Sequence, residues 1–129
     1  MLAFASCERG PAPVDIAVNR AATGLDKVKI TVTGYSSGRI EFKADGNPEL
    51  VAALRKLLAA KDGKWKHNLT NWAPTLLISS PDMRLNLSGN QAVLNIRMHA
   101  GDMVLDQFIV PMTAAEYKEI VSTVSQKDP

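Results

Sequence analysis

Met83-Arg84-Leu85-Asn86-Leu87-Ser88-Gly89-Asn90-Gln91-Ala92-Val93-Leu94-Asn95-Ile96-Arg97-Met98 is the stretch on which the fold turns. Met83, Leu85 and Leu87 alternate with Arg84, Asn86 and Ser88, and Ala92, Leu94, Ile96 and Met98 alternate on the return. A period of two over this length marks strands with one apolar face. Gly89-Asn90 is a two-residue connection with Gly first, which predicts a type II′ turn. Strands joined so tightly pair antiparallel.

The same reading extends outward in both directions. Thr75-Leu76-Leu77-Ile78 is a short apolar run bounded by Pro74 and Pro81, and residues 103–110 supply another strand after the turn His99-Ala100-Gly101-Asp102. Nearer the N-terminus, Val28, Ile30 and Val32 alternate with Lys27, Lys29, Thr31 and Thr33. Gly34-Tyr35-Ser36-Ser37-Gly38 has turn chemistry, and Ile40, Phe42 and Ala44 then alternate with Arg39, Glu41 and Lys43. These segments predict a second hairpin. A weaker alternation at Val14, Ile16 and Val18 predicts a strand ahead of it.

Two segments change period. Asn47 is a good N-cap, Pro48 suits the first helical turn and Glu49 complements the helix dipole. Leu50, Val51, Leu54, Leu57 and Leu58 then form one apolar stripe, and Gly63 can take the left-handed conformation that ends a helix. The spacing predicts a helix over 48–61. Thr113-Ala114-Ala115-Glu116 is a capping box, followed by the stripe Tyr117, Ile120, Val121 and Val124. It predicts a helix over 114–125. The fold class is therefore α+β: an antiparallel sheet of about five to seven strands with both helices packed on one face.

With 129 residues the chain is long enough for one domain with a substantial core. Residues 13–129 read as that domain and residues 1–12 as a tether or signal remnant. A net charge of +2, with basic residues scattered along the chain, does not point to nucleic acid. No apolar run approaches the ~20 residues that span a bilayer.

Leu2-Ala3-Phe4-Ala5-Ser6-Cys7 places the only cysteine behind a short apolar run, and Glu8-Arg9-Gly10-Pro11-Ala12-Pro13 follows as a polar, Pro- and Gly-bearing connector. Phe4-Ala5-Ser6-Cys7 resembles the cleavage site of a bacterial lipoprotein signal. That resemblance implies acylation at Cys7, a periplasmic or outer-membrane-anchored location, and membrane contact through the lipid alone. A lone cysteine also leaves no internal disulfide, so the fold rests on its core.

Chemistry-bearing motifs are few. The sequence has no Gly-rich phosphate loop, no nucleophile elbow and no His/Cys cluster at zinc spacing, so it points to no cofactor and no metal. His99 and Asp102 could pair as a base and its orienting acid, although Gly and Asp are also ordinary turn formers. Lys64-Trp65-Lys66-His67-Asn68-Leu69-Thr70-Asn71-Trp72 holds both tryptophans in a basic setting. Trp65, Trp72, His67, Lys64 and Lys66 are the candidate partner-binding residues, since Trp is enriched at binding hot spots. The competing reading makes this stretch a strand with Trp65 and Leu69 in the core. Arg55, Lys56, Lys61, Lys64 and Lys66 form a modest basic patch. Met83, Met98, Met103 and Met112 read as core filler. Asn68-Leu69-Thr70 and Asn86-Leu87-Ser88 match the glycosylation pattern by chance.

Three functions remain. The first is an envelope-anchored interaction domain that binds another protein through an exposed sheet face or edge. In size and layout it is similar to bacterial immunity and inhibitor lipoproteins, which implies neutralising a toxin or lytic enzyme by occlusion rather than by catalysis. The second is a small-ligand binder, whose sign would be a concave apolar cavity with a few polar groups. The third is an enzyme using His99 and Asp102, which requires the two side chains to meet beside a cleft.

Overall fold

A helix stands where the alternation at Val14, Ile16 and Val18 predicts a strand. The computed structural model describes residues 12–67, 75–99 and 101–124, and its first element is helix α1, Pro13–Thr23. Val14, Ala17 and Val18 are buried while Ile16 is 52% exposed, a spacing of three to four rather than two. Pro13 at the helix start, Asp15 in the first turn and Gly24 beyond the end supply the matching signals. A 3₁₀ turn, Leu25–Lys27, follows.

The first hairpin comprises β1, Thr31–Ser36, and β2, Arg39–Asp45. It starts later than the alternation suggests, because Val28 lies ahead of the ladder and is exposed. Its turn is also shorter. Gly34 and Tyr35 belong to the strand, and Ser37 and Gly38, with φ of 52° and 79°, close a type I′ connection. The register shifts between Gly34 and Tyr35, which leaves Glu41 as the extra residue of a bulge.

Helix α2, Pro48–Ala60, runs as its sequence predicts. The Asn47 carboxamide oxygen accepts from the Leu50 N–H at 2.8 Å, and its Nδ2 donates to the Thr123 carbonyl at 3.1 Å. Gly63 takes a φ of 78° just beyond the helix. Its N–H donates to the buried Asp15 carboxylate at 2.9 Å, which ties the start of α1 to the end of α2.

The remaining strands are β3, Lys66–His67; β4, Leu76–Ser80; β5, Met83–Ser88; β6, Gln91–Ile96; and β7, Asp106–Pro111. Gly89-Asn90 does join β5 to β6, but neither residue has a positive φ, so the connection is not the type II′ turn expected. Strand β7 also begins at Asp106, three residues later than predicted; Met103, expected as core filler, precedes it at 93% exposure. Helix α3, Ala114–Val124, opens on the predicted capping box: Thr113 N–H donates to Glu116 Oε1 at 2.8 Å, and Glu116 N–H to Thr113 Oγ1 at 3.1 Å.

The seven strands of the described residues form one antiparallel sheet in the order β2-β1-β4-β5-β6-β7-β3. Register places Ala44, Val32, Ile78, Leu85, Leu94, Phe108 and His67 in one row across it. Most of that row joins the buried stripes of α1, α2 and α3 in a single core, so the helices share one face. Among the described residues three helices rather than two cover it. On the opposite face Thr33, Asn86 and Val93 are buried too, with Val93 outside the main core, so the middle of that face is not open.

Candidate functional site

Where the first hairpin meets α2, the surface opens into a recess of about 530 Å³. Its floor is Leu25 and Ile30, both almost fully buried. Val28, Pro48, Val51 and Ala52 form apolar walls, while Asp26, Lys29, Asp45 and Arg55 supply charge at the margin. The volume lies in the usual range for ligand pockets, roughly 300–1,000 Å³. Among the described residues no His, Cys, Ser or Thr lines it.

Local sequence builds this shape. Gly46 N–H donates to the Ile30 carbonyl at 2.8 Å, clasping the end of β2 to the approach to β1. A Cβ at Gly46 would come within 2.8 Å of the Ile30 Cβ, so only glycine permits the approach. Asn47 then starts α2 and aims its first turns along one side.

The charged groups divide into committed and free ones. Arg55 donates through Nε to the Ala22 carbonyl at 2.9 Å, and through Nη2 to Thr23 and to Asp26 at 3.1 and 3.3 Å. It therefore caps the end of α1 and ion-pairs with Asp26. The side chains of Lys29 and Asp45 have no hydrogen-bond or ion-pair partner among the described residues. Both are exposed. The arrangement offers an apolar seat with one uncommitted cation and one uncommitted anion at its edge.

A second cleft, between α2 and α3, is only about 60 Å³ and is bordered by Lys56, Glu116 and Glu119. Ion pairs Lys56–Glu119 at 3.2 Å and Lys61–Glu116 at 3.0 Å join these helices. Its size suits water rather than an organic ligand.

The sequence-predicted residues lie elsewhere. Trp65 is in the core at 8% exposure, the core alternative of the two readings; its indole is not a surface contact. His67 is exposed, its ring edge-on to Phe108 with centroids 5.2 Å apart. Lys64 and Lys66 are exposed near the β3 edge of the sheet. Cys7, Leu69 and Trp72 lie outside the described residues.

His99 and Asp102 do meet, with Nδ1 and Oδ2 3.5 Å apart, but in an open turn with the imidazole 81% exposed. The Asp102 carboxylate also accepts from the His99 backbone N–H at 3.0 Å, and its carbonyl accepts from Arg97. These are the bonds of a turn, and neither concavity described above borders the pair. Asn86 is buried with its Nδ2 on the Val93 carbonyl at 3.3 Å, unsuited to glycosylation. Among the described residues no three His, Cys, Asp or Glu side chains group as metal ligands would. No helix there is long and apolar enough to cross a membrane.

Sequence reading missed the recess, because its lining joins Leu25 and Ile30 to Val51, which only the fold brings together. The available signal was Gly46 between two polar residues, which reads as a plain turn. No protein-family model matches the chain, and no match was found among curated proteins or solved structures.

Proposed function

We propose that the domain binds a small molecule with a compact apolar body and a charged end group, seated in the recess between the first hairpin and α2. The carrying observation is the recess itself: apolar floor and walls beside the uncommitted charges of Lys29 and Asp45. Burial of the ligand's apolar part supplies affinity, and the rim charges orient its polar end. Small-ligand binding takes precedence over occlusion of a toxin or lytic enzyme by the sheet's second face, because Thr33, Asn86 and Val93 are buried there.

The test uses anilinonaphthalene sulfonate as probe, an apolar body with an anionic end. Its fluorescence should rise with the folded protein, and Ala52→Trp, which fills the recess from an exposed position on α2, should weaken binding at least about tenfold, the effect of ~1.4 kcal/mol. An unchanged melting transition shows that the fold survives. Equal binding by wild type and Ala52→Trp would exclude the recess as the site.

A further inference from the structure

Strand β2 is an edge of the sheet: among the described residues it pairs with β1 and with no other strand. The Gly46 N–H donates to the Ile30 carbonyl, and the Tyr35 N–H donates to the Thr75 carbonyl. Along residues 30–35, therefore, even-numbered residues turn their backbone groups toward β2 and odd-numbered ones toward β4. Asp45 pairs with Thr31 and Lys43 with Thr33. The N–H and C=O groups of Asp45 and Lys43 thus point out from the sheet, and among the described residues they meet no other backbone group. Glu41, the extra residue of the bulge, ends this regular edge, which leaves a usable length from Phe42 to Gly46. That length abuts the recess, since Asp45 and Gly46 line it.

We propose that a short extended peptide adds antiparallel to this edge and places one apolar side chain in the recess. The inference rests on the reading of the recess as a ligand site and names the ligand's class. The apolar side chain is its compact body, and a neighbouring basic side chain is its charged group. Main-chain bonds to an open edge supply affinity, and pockets for alternate side chains supply specificity.

The register dictates the peptide's pattern. A residue opposite Gly46 directs its side chain to the helix side of the sheet, toward the recess that Ile30 and Val51 line, and Gly46 has no side chain in its way. The next residue exchanges both backbone bonds with Asp45 and sets its side chain against that carboxylate, which favours Lys or Arg. The third lies opposite Ala44, on the helix side again, and is apolar. The fourth exchanges both bonds with Lys43, which favours Asp or Glu. Neither the Lys43 nor the Asp45 side chain has a partner among the described residues, so both charges are free to select. Read from its N-terminal side, the fitting strand is apolar-basic-apolar-acidic. The bulge and the two charges discourage indiscriminate pairing, so they act as the filter on what this edge accepts.

The probe is the peptide Leu-Lys-Val-Glu, acetylated, with a fluorophore on a C-terminal Gly-Ser extension, read by fluorescence anisotropy against the full chain. It should bind and displace anilinonaphthalene sulfonate. The charge-reversed Leu-Glu-Val-Lys should bind about tenfold more weakly. So should Leu-Lys-Val-Glu methylated on the Lys backbone nitrogen, which cannot donate to the Asp45 carbonyl. The double variant Lys43→Glu/Asp45→Lys should reverse the preference between the two charge patterns. In the complex, amide exchange at Lys43 and Asp45 should slow at least about tenfold, while Phe42 and Ala44, which face β1, should not change. Dye binding that Ala52→Trp abolishes, with no peptide bound, overturns the peptide proposal and leaves the recess as a small-molecule site. Binding of neither dye nor peptide removes both readings. Equal binding of the two charge patterns, or unchanged exchange at Lys43 and Asp45, overturns the strand addition.

Discussion

The ring of Phe42 occupies the space that a side chain on Gly34 would need: a Cβ built there overlaps the ring edge. The two residues are direct partners across β1 and β2, on the face toward the helices. A glycine inside a strand ordinarily weakens it, because it adds no packing and costs more chain entropy. Here the missing side chain makes room for an aromatic one, which lies over the backbone instead.

Substitution should therefore have a sign that depends on Phe42. Gly34→Ala in the wild-type background should cost about 1–3 kcal/mol, the usual range for overpacking. In a Phe42→Ala background the same change should be neutral or mildly stabilising. Urea denaturation of the four proteins in a double-mutant cycle measures the coupling. Additive effects would mean that the ring moves aside without cost and the contact is incidental.

Glu116 carries a pH dependence that follows from its capping role. The Thr113 backbone N–H that it accepts is the largest influence holding its carboxyl below the ordinary value; Lys61 adds a hydrogen bond and an attractive charge, and partial burial opposes them. A carboxylate with a folded pKa below its unfolded one stabilises the fold fully above the unfolded value. That stabilisation is lost as pH falls through the folded one. The urea midpoint of wild type should thus decline below the carboxylate range, and Glu116→Gln should decline less steeply. At neutral pH the variant should be less stable by no more than about 1 kcal/mol, since the amide oxygen can still accept from Thr113. Parallel acid slopes in the two proteins would remove Glu116 as a contributor.

The sequence makes the strands of the second half legible because their alternation is long and their connection short. Leu85 and Leu94, for instance, need only local pairing to meet. The same logic misleads at Val14, Ile16 and Val18. Positions four apart lie on one face in both a strand and a helix, so Ala17, with its small side chain, and the start signals Pro13 and Asp15 had to decide. Strand order is less accessible still. Nothing local tells β1 to lie beside β4, or β3 to attach beyond β7, since those pairings join residues far apart in the chain. The recess shares that difficulty. Exposed Val28 reads as part of an ordinary strand until Ile30 is clasped to Gly46 and α2 closes the other side.

Trp65 separates a structural from an interfacial role in one experiment. Its ring is buried in the core while the indole Nε1 is buried without a hydrogen-bond partner among the described residues. An unpaired buried N–H is a cost that the ring's apolar area must outweigh. Trp65→Phe removes that donor and keeps an aromatic ring, so the lost volume and the relieved polar group should nearly offset, leaving a change under about 1.5 kcal/mol. Trp65→Ala removes the ring and should cost about 3–5 kcal/mol. Urea unfolding followed by far-ultraviolet circular dichroism gives both values without relying on tryptophan emission. If Trp65→Ala unfolds at the wild-type midpoint, the indole is not part of the core and its place is at a contact surface. A large loss for Ala with little for Phe fixes it as core, chosen for its ring rather than for its N–H.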